Sequence, residues 1–359
     1  MQSIGILGLG TYLPPTVRTN DFWPDADVAA WRDRMAHRAT SSEPPADGEL
    51  SEGARRTLAA MAEYADDPFR GAVERRVMDS DMTTSDMEAT AARDAMARAG
   101  VGPDDIDVIL SQTPVPEHLM VNHACTTHRL LGLPLRCLAI ATEAACNGFA
   151  AHVSLAQGLI ASGQARRVLS VHSSAITRVH GTAEPHSAWW GDGAAAAVIG
   201  PVADGRGLLA ASHRCDGTGD RALVLGVPGQ RWWSGGGEVT TYAHDRTHTR
   251  AMMLGLLDRG RDVILDALGR AGLAASEVGF YAAHQSTAWL ARVSAAHAGL
   301  ERAGTLTTFP YLGHMNSVNV PFILAMGERE GSIPDGTVVS TFSGGLGETW
   351  SSLVFRWGR

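Results

Sequence analysis

The sequence predicts an α/β fold. Short apolar runs of strand length alternate with helix-length segments along most of the 359 residues, the order that lays helices against a mostly buried sheet. The strand runs are apolar throughout instead of alternating with polar residues, as strands covered on both faces are. Hydrophobic residues make up 45% of the chain and charged residues 19%, enough for a large core in about two domains.

Taken in order, residues 4–9 form a β-branched strand that runs into Gly10 and a turn at Tyr12-Leu13-Pro14. Residues 21–76 are polar, acidic and Trp-bearing, with Pro44-Pro45 among them, and read as an inserted loop or cap. An amphipathic helix starts at Ser85, capped at its N-terminus and stopped by Gly100. Apolar strands follow at 106–110 and 135–140, and the second leads through 141–145 into Cys146. Residues 147–163 read as a helix closed by Gly163. Strands at 168–172 and 194–199 flank the turn Gly191-Asp192-Gly193. The second half shares this outline without a residue-level repeat. A helix (249–272) precedes a strand (278–283) ending at His284, then come a helix from Thr287, a loop with Gly313-His314 and a helix from Ser317. Strands at 338–342 and 352–355 finish the chain, and the glycine-rich stretch 200–207 divides it into 1–203 and 204–359.

Composition excludes several function classes. The net charge of −8 argues against nucleic acid or an anionic membrane surface as partner. There is no uncharged apolar run long enough to span a bilayer. The N-terminus lacks the charged segment and cleavage site of a secretory signal, so a cytoplasmic location is expected. All 30 basic residues are arginine, which removes Schiff-base chemistry, pyridoxal phosphate anchoring and the phosphate-binding lysine of a P-loop. The cysteines at 125, 137, 146 and 215 contain no C-x-x-C pair, so neither a metal site nor a redox pair is expected.

Cys146 lies between an apolar strand and the first turn of an apolar helix. There a helix N-terminus favours a thiolate, and free backbone N–H groups can hold an oxyanion; the same position also suits a thiol that merely packs. His284 ends a strand and His314 lies in a glycine-bounded loop, places where α/β enzymes put catalytic groups. One Cys and two His suggest a nucleophile with imidazole partners. Gly8-x-Gly10 lacks the third glycine and the helix of a dinucleotide loop. His244-Asp245-x-x-His248 has Asp where a zinc protease needs Glu and shows no third ligand. No G-x-S-x-G elbow is present.

Six motifs in order resemble the β-ketoacyl-ACP synthase III group of the thiolase superfamily. They are Gly8-x-Gly10-x-Tyr12-Leu13-Pro14, Glu74-Arg75-Arg76, Ala145-Cys146-Asn147-Gly148-Phe149, Trp190-Gly191-Asp192-Gly193-Ala194, Ala283-His284-Gln285 and Phe342-Ser343-Gly344-Gly345 with Thr349-Trp350. The resemblance implies a five-layered αβαβα fold of two duplicated halves, usually dimeric. It implies that Cys146 takes an acyl group from acyl-CoA or an acyl carrier protein, with no permanently bound cofactor. His284 would polarise or activate the reacting thioester, and backbone N–H groups of Cys146 and Gly344 would form the oxyanion hole. Two departures stand out. His314 occupies the position of the family's catalytic Asn, with Asn316 as a nearby substitute, and Thr287 stands where the Asn of the His284 motif would be. The segment 21–76 and residues 115–134 resemble a secondary-metabolism branch that moves acyl groups onto hydroxyl or amine acceptors. The Gln230–Gly235 loop could line an acceptor site. The expectation is therefore an acyltransferase working through acyl-Cys146; the alternative is a decarboxylative condensing enzyme, and a catalytically silent partner subunit is disfavoured by the presence of both Cys146 and His284.

Overall fold

The fold is described from a computed structural model covering residues 2–41 and 50–359; Pro44-Pro45 lie outside the described residues. Strand β1 (Ile4–Tyr12) is followed by β2 (Val17–Thr19), α1 (Asp25–Ser41), α2 (Glu52–Ala62), β3 (Glu74–Arg76) and α3 (Thr84–Ala99). Next come β4 (Val108–Gln112), α4 (His123–Leu131), β5 (Leu138–Thr142), α5 (Gly148–Ala161), β6 (Val168–Ser174) and β7 (Gly193–Pro201). Beyond residue 206 lie β8 (Gly207–Cys215), β9 (Leu223–Gly226), β10 (Thr240–Ala243), α6 (Arg246–Ala271), β11 (Phe280–Ala283) and α7 (Leu290–His297). Helices α8 (Phe309–Leu312) and α9 (Asn319–Arg329) and strands β12 (Val338–Gly345) and β13 (Thr349–Arg356) complete the order.

Two large sheets share one topology. The first has the order β1-β7-β6-β4-β5 and the second β8-β13-β12-β11. In both, the two pairs nearest the first strand are antiparallel and the next is parallel. Only β5 lacks a full counterpart; Gly304 bridges β11 in parallel at the corresponding edge. Helices α5 and α9 fill the space between the sheets through Phe149, Val153, Val320 and Ile323, among others. Helices α3 and α4 cover the outer face of the first sheet, and α6 and α7 that of the second. The result is five layers, αβαβα.

Local sequence explains much of this. Thr83 and Asp86 form a reciprocal capping box on α3, and Gly100 ends it in the left-handed region. The helix is alanine-rich on its buried face, so β1 approaches it closely. A Cβ on Gly10 would stand 2.0 Å from the Ala91 carbonyl oxygen. Gly8-x-Gly10 is therefore a strand-to-helix packing motif. Strand β1 also continues beyond residue 9 to Tyr12, paired with Ala194, the first residue of the expected turn.

Of the two expectations for residues 21–76, a loop or a cap, the helical content excludes a plain loop. Within it α1 and α2 are helical, and Trp23 and Trp31 are buried with Val28 and Ala188. Among the described residues, hydrogen bonds tie this region to residues 183–189. Trp31 Nε1 and Arg34 donate to the Ala183 carbonyl, Trp23 to Ser187, Arg75 to the Ala188 carbonyl, and Trp189 to the Pro68 carbonyl. Arg75 is fully buried with its guanidinium over Trp23. Helix α4 and the β9–β10 hairpin were not expected from periodicity, and β4 and β5 begin at Val108 and Leu138, inside the apolar runs. No helix among the described residues is long and apolar enough to cross a membrane.

Candidate active site

Cys146 occupies a single turn of 3-10 helix between β5 and α5. Ala145 before it has a φ of 46°, strained for a residue with a Cβ. Three bonds hold that backbone. Gln112, at the end of β4, donates to the Ala145 carbonyl at 2.7 Å and accepts from the Ala144 N–H, while Glu143 accepts from the Ala145 N–H. Asn147 donates to Ser351 on β13 at 2.9 Å, which ties the turn to the second sheet.

The loop carrying His314 is built from a glycine and a backbone bridge. Gly313 has φ 66° and ψ −163°, a region essentially restricted to glycine. The His314 N–H donates to the Trp189 carbonyl at 2.7 Å, and the His314 carbonyl accepts from the Gly191 N–H. Trp190 stacks on the His314 ring with centroids 4.1 Å apart and planes at 23°. Gln285, next to His284, accepts from the N–H groups of Thr308 and Phe309 and donates to the Leu306 carbonyl, which anchors the approach to this loop.

These elements bring together three side chains far apart in sequence. His314 Nε2 is 3.5 Å from Cys146 Sγ. The His284 and His314 rings meet edge to face with centroids 4.7 Å apart. All three are buried, and their reactive atoms lie within 4.8 Å of one another. Asn316 is buried nearby at φ 53°, with its side chain accepting from the Ser317 N–H. Gly345, one residue after Gly344, backs onto the nucleophile turn: a Cβ there would lie 2.9 Å from the Ala144 carbonyl.

Burial pushes the Cys146 thiol up to about 12, the Glu143 charge adds to this, and a backbone hydrogen bond opposes it. Desolvation is the largest of these influences and favours the neutral thiol. Burial pushes His284 down to about 4, opposed only in part by the Asn316 backbone. His314 falls well below its ordinary range, first from burial and then from the neighbouring His284. Two neutral imidazoles therefore face one neutral thiol, an arrangement able to pass a proton between sulfur and nitrogen.

Several buried groups around the site escaped the sequence reading. His152 on α5 and His172 on β6 are linked through Ser170, and the chain continues to Thr142 at one end and Ser317 at the other. Gln112 carried a readable signal, since it ends a parallel strand; His152 and His172 sit inside apolar elements and carried none. Asp192, buried and pushed up to about 6 by desolvation, accepts from Met78 and Thr177 and pins the loops below Trp190. Trp232 and Trp233 are exposed on the loop joining β9 to β10. The loop end of that hairpin bonds His180 and His186 through Thr240, and His180 stacks on Trp190. Asp245 caps α6 by accepting from Thr247 and His248, which accounts for the His-Asp-x-x-His spacing as a helix start.

Family models for 3-oxoacyl-[acyl-carrier-protein (ACP)] synthase III and for its C-terminal region match residues 141–217 and 268–357. The chain is 30% identical over 310 residues to the β-ketoacyl-[acyl-carrier-protein] synthase III of Cereibacter sphaeroides, covering 84% of this chain and 93% of that protein. It is 28% identical to the Bacillus pumilus protein of that name, with 100% of both chains covered. The solved structure of the Thermus thermophilus synthase III superposes with a TM-score of 0.77 at 25% identity, over 99% of each chain.

Proposed function

Because the chain belongs to the 3-oxoacyl-[acyl-carrier-protein] synthase III family, we propose that it is an acyl-thioester-dependent acyltransferase. In this reading Cys146 takes an acyl group from acyl-CoA or an acyl carrier protein and passes it to a hydroxyl or amine acceptor. The contact between Cys146 Sγ and His314 Nε2 carries the proposal, because it puts a proton acceptor against the nucleophile. The sulfur attacks the thioester carbonyl while its proton passes to the imidazole. The oxyanion is held by the N–H groups of Cys146 and Gly344, and the departing donor thiolate takes the proton back. In the second half the acceptor's O–H or N–H gives its proton to imidazole as its heavy atom attacks the acyl carbon, and Cys146 leaves as the thiol. His284 orients the thioester and shares the proton with His314. The Gln230–Gly235 loop forms an aromatic wall for the acceptor. Natural-product biosynthesis in the cytoplasm is the setting, with no resident cofactor.

The second reading is decarboxylative condensation, favoured by the names of the curated relatives, which are synthases. Two imidazoles can hydrogen-bond the malonyl thioester oxygen as an enolate forms. Incubation with a panel of acyl thioesters, malonyl included, followed by intact-protein mass spectrometry separates the two. A retained malonyl adduct on Cys146 supports acyl transfer; loss of its CO2 with formation of a carbon–carbon bond supports condensation.

The division into halves 1–203 and 204–359, one bearing Cys146 and the other both histidines, belongs to the same reading, supported by the repeated sheet topology. So does a homodimer. β5 is an edge strand, and Leu138 on it, with Leu119, Met120 and Val121 beside it, is exposed. Such an edge is a template for a second copy of the chain.

A further inference from the structure

We propose that Cys146, His284 and His314 form a site for a zinc-class divalent cation, whose binding reversibly locks the nucleophile. The ion is an inhibitory ligand, distinct from any resident cofactor.

The geometry carries this. Tetrahedral zinc with bonds of about 2.3 Å to sulfur and about 2.0–2.1 Å to nitrogen sets sulfur about 3.5 Å from each nitrogen. Cys146 Sγ and His314 Nε2 already stand 3.5 Å apart. The remaining separations are at most 4.8 Å, so a shift of up to about 1.5 Å completes the three ligands at tetrahedral spacing. The donor set, one thiolate and two imidazoles, is the combination that zinc and its soft neighbours select. Glu143, whose charge already acts on Cys146, offsets part of the charge of the bound ion. A fourth position is left for water.

The inference depends on His314. An amide at that position is a poor zinc ligand, leaving one sulfur and one nitrogen, so the site arises from the departure from the family pattern. It was invisible to spacing because the ligands come from three separate segments. Binding displaces the thiol proton, and it uses the same sulfur that would hold an acyl group, so metal and acyl group exclude each other. The proposal holds whichever acceptor the enzyme uses.

The test is a titration of the metal-free full-length protein with Co2+, followed through the near-ultraviolet sulfur-to-cobalt charge-transfer band, with Zn2+ as competitor. The expected result is one equivalent bound with release of a proton, loss of the band in Cys146→Ser, and affinity weakened by at least about 100-fold in His314→Asn and His314→Gln. Cys215→Ser, which removes an exposed thiol, should leave the titration unchanged. Zn2+ should also block iodoacetamide alkylation of Cys146, and a chelator should restore it. Melting curves establish that the variants are folded. Absence of the band in the wild type, or a band that survives Cys146→Ser, overturns the site. Unchanged affinity in both folded His314 variants overturns the ligand set.

Discussion

Trp190 lies flat on His314, with ring centroids 4.1 Å apart, while His180 stacks on Trp190 from the hairpin side at 6.0 Å. The 183–189 segment leading to Trp190 is clamped by Trp23, Trp31 and Arg75. The inserted helices therefore reach the candidate site through one aromatic stack. An aromatic pair contributes about 0.5–1.5 kcal/mol beyond its buried area, so Trp190→Leu should lower kcat by about 2–10-fold. Trp190→Phe should retain most activity. Equal loss in both variants would assign Trp190 a steric role instead of a stacking one.

Replacing His314 by Asn removes the imidazole against the nucleophile. Transfer to an acceptor should fall by about 10²–10⁴-fold, the span typical of lost acid–base catalysis. CO2 release from a malonyl thioester should rise relative to transfer, measured with labelled malonyl donor. No change in that ratio would remove His314 as the residue that separates the two chemistries.

Cys146→Ala should abolish acyl capture, read as loss of the mass adduct. The pH dependence of the wild type is equally specific. A thiol pushed up to about 12 by burial is protonated at neutral pH, so its alkylation by iodoacetamide should climb with pH and show no plateau below about pH 10. A plateau near pH 6–7 would mean a preformed thiolate–imidazolium pair.

His123 bridges two carboxylates, Glu88 at 3.2 Å and Glu117 at 2.7 Å. Burial pulls its imidazole down, but the hydrogen bonds and charges of the two glutamates outweigh this and raise it to about 10. Its folded value exceeds its ordinary 6.5, so its contribution is full below about pH 6.5 and is lost as pH rises through about 10. His123→Ala should cost about 3–5 kcal/mol at neutral pH, since it leaves Glu88 buried without its cation. Denaturant melts at pH 7 and pH 10.5 measure both effects, and the gap between variant and wild type should narrow at the higher pH.

The exposed β5 edge gives a further prediction. Leu138→Asp should shift the protein from dimer to monomer in sedimentation without lowering its helix content. A monomeric wild type would remove the edge-pairing proposal.

Much of this protein was legible in its sequence because the signals are local. Strand-length apolar runs, the capped alanine-rich helix ending at Gly100, and the strand-to-helix corner at Cys146 depend on neighbours within a few residues. The order of the motifs sufficed to place the chain in its family. Other features depend on what the fold brings close. The polar composition of residues 21–76 hid two helices, because their stability comes from burying Trp23 and Trp31 against residues 183–189. The helix-start position of Cys146 favours a thiolate, whereas burial in the closed site pushes the thiol up, an influence that local sequence does not carry. Spacing alone could not bring Cys146, His284 and His314 within 4.8 Å; that required the central helices to seat two sheets of like topology face to face. Hydrophobic pattern and turn chemistry are written along the chain, whereas ring stacking, proton affinity and ligand geometry are set by atoms that only tertiary packing makes neighbours.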